Sequence, residues 1–205
     1  MAARSKTPSI RRRPAQRRAR ETVQSVMDAV IRILKREGPA GMTTNRIAEV
    51  AGVSIGSVYQ YFPDKHAIFT ALHERHIDQI DRMVQSTLVE HAASSLDDLM
   101  RAMIEAMIEA HTTDPELYEL LLSEVPHRAD RSREFGVRLH GAFLLAISSR
   151  SHELKNGRNL DSVVFVVTHM VEALSHGAVL RRPAGLSLAA AKEEVVRAVL
   201  AYLRA

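Results

Sequence analysis

Apolar residues recur along this chain with the spacing of helix turns. The first such stripe falls at i, i+3, i+4, i+7 and i+11 and consists of Val23, Val26, Met27, Val30 and Leu34. This period predicts an amphipathic helix that begins near Gln16. The helix should end at Gly38-Pro39, because glycine readily forms a left-handed cap and proline cannot continue the helical hydrogen bonds.

The same period predicts about nine helices in all. Thr44 and Ser54 can cap two short helices, and Pro63-Asp64 separates the second of them from a long helix that runs to about Glu90. Further helices are predicted over about 95–111, after Pro115, and over about 131–149, 160–181 and 187–204. The segment SVVFVV has the composition of a strand, but its helical period continues for about twenty residues, which is too long for an ordinary strand. The predicted fold class is therefore all-α.

Composition narrows the class of protein. The 205 residues can bury one good core, or a small head plus one core. There is no cysteine, which excludes disulfides and thiolate metal sites. No apolar run approaches the ~20 residues of a membrane span, and the N-terminus lacks the apolar stretch of a secretory signal. We therefore expect a cytoplasmic protein without a membrane partner.

The usual signatures of catalysis are missing from the sequence. It has no nucleophile elbow, no glycine-rich phosphate loop and no HExxH helix, so we expect neither an enzyme nor a cofactor. Two groups of side chains suggest metal binding by composition alone: His66, His73 and His76, and His169, Glu172 and His176. Without cysteine or a close pair of histidines, we predict no metal site and interpret these residues as surface or interface residues.

Charge is concentrated at the N-terminus. Residues 1–20 contain eight bases and no acid, namely Arg4, Lys6, Arg11, Arg12, Arg13, Arg17, Arg18 and Arg20. The remaining residues carry 20 bases and 24 acids, so a +8 arm precedes a −4 body. This asymmetry favours a polyanion partner near the arm, although a disordered solubilising tail has the same composition. We define residues 1–18 as a basic arm whose candidate DNA contacts are Arg11, Arg12, Arg13, Arg17 and Arg18.

Residues 43–62 have the pattern of a helix-turn-helix motif. Two short helices that cross need a small residue where they touch, and Ala48 lies there. Gly52 tolerates the positive φ of the turn, and Val53 and Val58 can anchor the second helix on the first. The residues then left outward on the second helix are Ser54, Ile55, Gly56, Ser57, Tyr59, Gln60 and Tyr61.

This outward set, Ser54 included, contains no acid, so it can approach a nucleic acid and we take all its members as candidate DNA contacts. Ser57 and Gln60 can hydrogen-bond base edges, and Ile55 can touch a thymine methyl group. Gly56 allows the backbone to come near a groove wall. The hydroxyls of Tyr59 and Tyr61 can bind phosphates, with a core position as the equal alternative for Tyr61. Lys65 and Thr44 lie at helix N-termini, which favour anions.

The stretch MTTNRIAEVAGVSIGSVYQYFPDKHAIFTAL resembles the DNA-binding head of the tetracycline-repressor family of bacterial regulators, and the resemblance covers about Arg20 to Leu72. It implies that Tyr59 and Lys65 contact phosphates, as does Thr44 on the first motif helix. It further implies that Ser57 is at a base-reading position and that Gln60 and Tyr61 are at variable contact positions. The family also implies an all-α homodimer whose C-terminal domain dimerises and usually binds a small effector.

We divide the chain accordingly into the arm, a DNA-binding domain over 19–78 and a regulatory and dimerisation domain over 79–205. By position, the last two helices resemble the family's dimer-forming pair, although they can equally cover the core of their own subunit. The dimer candidates are Val167, Val171, Leu174, Ala178, Val195, Val199 and Leu203. The candidate effector-pocket residues are Met100, Met103, Met107, His111, Phe143 and His169, with core packing as the alternative reading of this methionine stripe.

The resulting hypothesis is a sequence-specific DNA-binding transcriptional regulator. We expect an effector-responsive repressor that acts as a homodimer on a palindromic operator. The alternative is a polybasic helical protein that binds nucleic acid or a membrane surface without sequence specificity, mainly through its arm. That alternative predicts that deletion of residues 1–18 abolishes binding and that Tyr59→Ala has no effect.

Overall fold

The computed structural model describes residues 17–125, 130–154 and 157–205. These residues form α-helices and no strand, so the predicted all-α class is confirmed. The helices are α1 (Arg17–Glu37), α2 (Thr44–Ala51), α3 (Ile55–Tyr61), α4 (Lys65–Glu90), α5 (Leu96–Thr112), α6 (Pro115–Glu124), α7 (Asp130–Ser148), α8 (Leu160–Leu180) and α9 (Leu188–Arg204). Single 3₁₀ turns at Pro39–Gly41 and Ser151–Glu153 follow α1 and α7.

Side-chain caps explain where most helices begin. Ser54, Ser95 and Ser187 cap α3, α5 and α9, because each hydroxyl accepts a hydrogen bond from the backbone N–H three residues further on. Asp64 caps α4 in the same way, at 2.8 Å from the N–H of Ala67. The start of each of these helices lies within a residue or so of the one expected from sequence.

The start of α2 differs from the prediction. Its cap is Thr43, whose hydroxyl accepts from the N–H of Arg46 at 3.2 Å, and Thr44 is the first residue of the helix. Both threonines have a side chain that can cap, so residue type does not distinguish them. The backbone decides, because Thr43 has the extended conformation of a cap residue.

The first compact unit comprises described residues 17–76 and 116–125. The apolar stripe of α1 packs against α2 and α3, and the first half of α4 and part of α6 complete the core. Completely buried side chains in this core include Val26, Val30, Ile33, Ile47, Val58, Phe62 and Ile68. α6 contributes Leu120 and Leu121 to it.

The second compact unit comprises described residues 77–115, 130–154 and 157–205. α5 lies at its centre and packs against α7, α8 and α9. Its large apolar side chains are no more than 3% exposed, so α5 is a central buried helix; they are Leu96, Leu99, Met100, Met103, Ile104, Met107 and Ile108.

Along the chain, the first boundary between the two units falls within α4, between His76 and Ile77. The segment that includes α6 groups with the first unit by packing, whereas the sequence-based division assigned it to the second domain. The domain boundary at residues 78 and 79 stays a prediction about folding and function.

The helix α8 is similar in composition to a membrane-spanning helix. By length and mean hydropathy it could span a membrane, in contrast to the expectation that no segment would. Core helices of soluble proteins pass the same test, and one side of α8 packs in the core of the second unit. The composition of α8 is therefore weak evidence for a membrane.

The turn between α1 and α2 yields a stability prediction. A Cβ added at Gly41 would lie 2.8 Å from the Cβ of Glu37 and 3.1 Å from Cγ2 of Ile33. Both atoms are held on α1, so Gly41→Ala should lower the free energy of unfolding by about 1–3 kcal/mol, as overpacking does. The control is Gly136→Ala on α7, where nothing lies within 4 Å of the added Cβ. It should raise stability by roughly 0.5–1 kcal/mol through helix propensity. Equal stability of the two variants in urea would contradict this packing.

A buried histidine yields a second prediction. His111 is 2% exposed, and its Nδ1 lies 2.6 Å from the carbonyl oxygen of Met107. The carbonyl can only accept, so Nδ1–H donates. Burial lowers the pKa of His111 below the ordinary value of 6.5 despite this bond. The unfolded chain therefore takes up the proton first as pH falls.

It follows that His111 costs stability below about pH 6.5 and none above it. Urea unfolding at pH 7.5 and 5.5 should show a smaller loss on acidification in His111→Gln than in the wild type. His152→Gln is the control, because that side chain is 78% exposed. If His111→Gln and the wild type lose the same stability, the buried neutral state of His111 is wrong.

Candidate nucleic-acid interface

A left-handed turn fixes the start of the motif's second helix. Gly52 has φ 70° and ψ 31°, as the sequence predicts, and its N–H and that of Val53 both donate to the carbonyl oxygen of Ala48. Val58 is completely buried and anchors α3 against α1 and α2. Together these contacts hold one side of α3 inward and leave the other side open.

The open side of α3 carries the predicted reading residues. Tyr59 is 45% exposed and Ile55 is 37% exposed. Ser54, Gly56 and Gln60 are also exposed, and Ser57 is half-buried. The helix contains neither an acid nor a base, so this surface offers hydroxyl, amide and apolar groups without repelling a phosphate backbone.

The hydroxyl groups at the start of α3 are linked to each other. The Oγ of Ser54 accepts from the backbone N–H of Ser57 at 3.0 Å. The two Oγ atoms of Ser54 and Ser57 are 2.8 Å apart and share a further hydrogen bond. The side chain at the expected base-reading position is therefore oriented before any ligand binds.

Charged residues on α1 and α2 neutralise each other beside this surface. The guanidinium of Arg46 lies 2.6 Å from a carboxylate oxygen of Glu37 and 2.8 Å from one of Glu49. The hydrogen bond from Arg46 lowers the pKa of Glu37, and the bonds to Glu37 and Glu49 raise the pKa of Arg46. The carboxylate of Glu37 is therefore favoured in its ionised form, and Arg46 partly balances the negative charge of these side chains.

The beginning of α4 provides a cation. Lys65 is the first residue of α4 and is half-buried, directly after the capping Asp64. The ammonium group thus lies at a helix N-terminus, as predicted. Thr44, at the first position of α2, is half-buried.

Tyr61 differs from the sequence-based expectation. Its side chain is 8% exposed and belongs to the core of the first unit, so the prediction that it points outward is wrong. Tyr61 lies three residues after the buried Val58, so the two side chains project from neighbouring parts of the helix surface. At the end of α3 the side chain of Tyr61 joins the core together with Phe62. We leave Tyr61 out of the interface proposed below.

Only some of the candidate arm contacts belong to the residues that the structure describes. Arg11, Arg12 and Arg13 lie outside the described residues. Arg17 and Arg18 form the first turn of α1 and are exposed, and Arg17 pairs with Glu21 at 3.1 Å.

The predicted effector-pocket residues lie mostly in a packed core. Five side chains are at most 3% exposed within the second unit, namely Met100, Met103, Met107, His111 and Phe143. His169 differs, since it is exposed and its ring stacks on that of Phe165 at 4.2 Å between centroids. The prediction that His169 lines an interior pocket with the others is therefore wrong.

The predicted dimer residues also face inward. Six are at most 7% exposed in the core of a single chain: Val167, Val171, Ala178, Val195, Val199 and Leu203. Only Leu174, at 37%, reaches the surface. The alternative reading, that this stripe covers the core of its own subunit, describes the structure. The most apolar side of a helix is the side that packs in the core of its own chain.

Large apolar side chains that sequence reasoning did not select are exposed on the second unit. They are Val89 on α4, at 76%, Val137 and Leu145 on α7, at 73% and 61%, and Phe165 on α8, at 56%. Apolar residues occur on both sides of α8, so the period alone did not distinguish the side that packs in the core. Within the part of the chain that the structure describes, no group of three or more metal-binding side chains occurs.

Two family models match the chain. The model described as "Bacterial regulatory proteins, tetR family" matches residues 26–72. The model described as "Tetracyclin repressor-like, C-terminal domain" matches residues 95–203. With the helix-turn-helix geometry, these matches define a helix-turn-helix, DNA-binding transcription regulator. The chain belongs to the tetracycline-repressor (TetR) family, as its sequence resemblance implies.

Proteins similar to this chain include regulators and a nucleoid occlusion factor. The chain is 26% identical to the HTH-type transcriptional regulator AcrR of Shigella flexneri over 61% of this chain and 57% of AcrR. It is 29% identical to the nucleoid occlusion factor SlmA of Pasteurella multocida over 82% of this chain and 86% of SlmA. The fold is similar to that of the fatty acid degradation regulator FadR of Bacillus halodurans, with a TM-score of 0.68, 15% identity, and coverage of 89% of this chain and 96% of FadR.

Proposed function

We propose that this regulator binds a specific, roughly palindromic operator as a homodimer and acts as an effector-responsive repressor in the cytoplasm. The observation that carries the proposal is the exposed, acid-free side of α3, which the capped Gly52 turn and the buried Val58 hold in one orientation. A recognition helix held in this way can enter a major groove with its polar side chains facing base edges.

We assign the exposed groups to two roles. Ser57 and Gln60 read base edges, and Ile55 contacts a thymine methyl group while Gly56 allows close approach. The hydroxyl of Tyr59 and the ammonium of Lys65 bind phosphates and fix the register of the protein on the duplex. Thr44, at the start of α2, and the arginines of the arm are further phosphate contacts in this proposal.

The surface of α8 supports a homodimer. Its outward side carries the exposed apolar residues Phe165 and Leu174 and the small residues Ala173 and Gly177, beside polar residues that include His169 and Glu172. Exposed apolar side chains that lie together often mark interfaces between proteins, and the core of one chain covers only one side of α8. We propose that a second copy of the chain covers the other side, which also matches the two-fold symmetry of a palindrome.

The effector and the repressor role rest on the family. The match to the C-terminal model over residues 95–203 supports them, whereas the packed methionines of α5 add no support. In this proposal the effector binds the second unit and changes the spacing of the two heads, which weakens binding to half-sites on one face of the DNA. Equal DNA affinity with and without every effector tried would contradict this.

The roles of Tyr59 and Gln60 can be separated by experiment. Tyr59→Phe removes a hydroxyl to phosphate, so affinity should fall roughly three- to tenfold for every sequence. Gln60→Ala should instead change which base is preferred at one position of each half-site, by roughly tenfold. Binding to randomised DNA, measured by selection and sequencing, gives both values. Gln79→Ala, an exposed glutamine on α4, is the control.

Loss of binding on deletion of residues 1–18, together with unchanged binding in Tyr59→Ala, would instead favour the non-specific alternative. Unchanged base preference in Gln60→Ala would show that Gln60 is not a base reader.

The proposed dimer face gives a separate test. Ala173 lies near the middle of the outward side of α8 and is exposed, so Ala173→Arg should place two charges in the contact and shift the protein toward monomer. Ala93→Arg, in the exposed turn after α4, adds the same charge elsewhere and should leave the dimer intact. Sedimentation equilibrium measures the mass of each. A monomeric wild type, or a dimer unaffected by Ala173→Arg, would contradict this face.

A further inference from the structure

The two hydroxyls at the start of α3 form a directed chain of hydrogen bonds. The N–H of Ser57 donates to the Oγ of Ser54 at 3.0 Å, and the two Oγ atoms lie 2.8 Å apart. A hydroxyl has one hydrogen and two lone pairs. Only one hydrogen can lie between the two oxygens, so its direction determines what Ser57 can offer to a base.

The two directions have opposite consequences. If Ser54 donates, the hydrogen of Ser57 is free to point outward, and Ser57 is a donor to an acceptor atom of a base. If Ser57 donates, its Oγ presents only lone pairs outward and can serve only a donor such as the amino group of cytosine or adenine. The direction is therefore a specificity determinant.

The capping hydrogen bond favours donation from the hydroxyl of Ser54 to that of Ser57. The Oγ of Ser54 already accepts the N–H of Ser57, and a hydroxyl that accepts a hydrogen bond becomes a better donor. If the Oγ of Ser54 also accepted the hydrogen of Ser57, its own hydrogen would point away from Ser57 and the cooperative gain would be lost. Donation from Ser54 to Ser57 continues the chain outward and strengthens Ser57 as a donor.

We propose that Ser54 is a positioning residue that sets Ser57 as a hydrogen-bond donor toward an acceptor atom of a base. Such acceptors in the major groove are N7 and O6 of guanine, N7 of adenine and O4 of thymine. This assigns to Ser54 an action through Ser57 in place of the direct DNA contact expected from sequence. The inference rests on the proposed base-reading role of Ser57.

Three variants of the full-length protein test this inference. Ser57→Ala removes the reading hydroxyl. Ser54→Gly removes the positioning hydroxyl but costs a helix cap only a few tenths of a kcal/mol. Ser54→Thr keeps a hydroxyl and a cap, and is the conservative control. Each is compared with the wild type by selection from DNA randomised over a half-site, by affinity for non-specific DNA and by Tm.

Ser57→Ala should lose base preference at one position. Ser54→Gly should lower the preference at that same position roughly three- to tenfold, the range of one neutral hydrogen bond, with non-specific affinity and Tm nearly unchanged. Ser54→Thr should retain it. The base preferred there by the wild type should present an acceptor to the protein.

Three results would overturn the inference. If Ser57→Ala loses the preference and Ser54→Gly keeps it, Ser57 reads a base without help from Ser54, and the proposed function stands. If Ser54→Gly weakens all positions equally and lowers Tm, Ser54 only caps α3. If Ser57→Ala changes no preference, the base-reading assignment fails and this inference fails with it.

Discussion

The orientation of α3 is the constraint on which the function of this protein depends. A helix of seven residues is far too short to be stable alone, since isolated helices need roughly 12–15 residues even with favourable sequences. Its stability must come from the left-handed turn at Gly52, the cap at Ser54 and the burial of Val58. The same contacts that make α3 a helix also determine which side chains remain outside.

Electrostatics around the motif support contact with a polyanion. The exposed side of α3 is uncharged, and Lys65 begins the next helix. Glu37 on α1 and Glu49 on α2 both pair with Arg46. In the proposed complex, affinity for phosphates is supplied at the edges of the motif, and hydroxyl and amide groups are left at its centre to read base edges.

Local signals made much of this structure predictable. Serines before apolar stripes marked the starts of α3, α5 and α9, because a cap is a contact over three residues and needs no tertiary information. This signal could not show whether Thr43 or Thr44 caps α2, because both side chains can cap. Tyr61 was misplaced because the last turn of α3 adjoins the core through Phe62, a tertiary contact. On α8 apolar residues occur on both sides, so the period could not show that Val167 and Val171 face the core and Phe165 faces outward.

The central claim is that this protein reads a specific sequence through two copies of α3. The most direct measurement incubates the purified protein with sheared genomic DNA from the organism that carries the gene, at moderate salt, and sequences the retained fragments. We expect fragments that share a roughly palindromic site with half-site centres about 34 Å apart or a multiple of it. Uniform recovery of all fragments, lost on a modest increase in salt, would mean non-specific electrostatic binding and would contradict sequence-specific reading by α3.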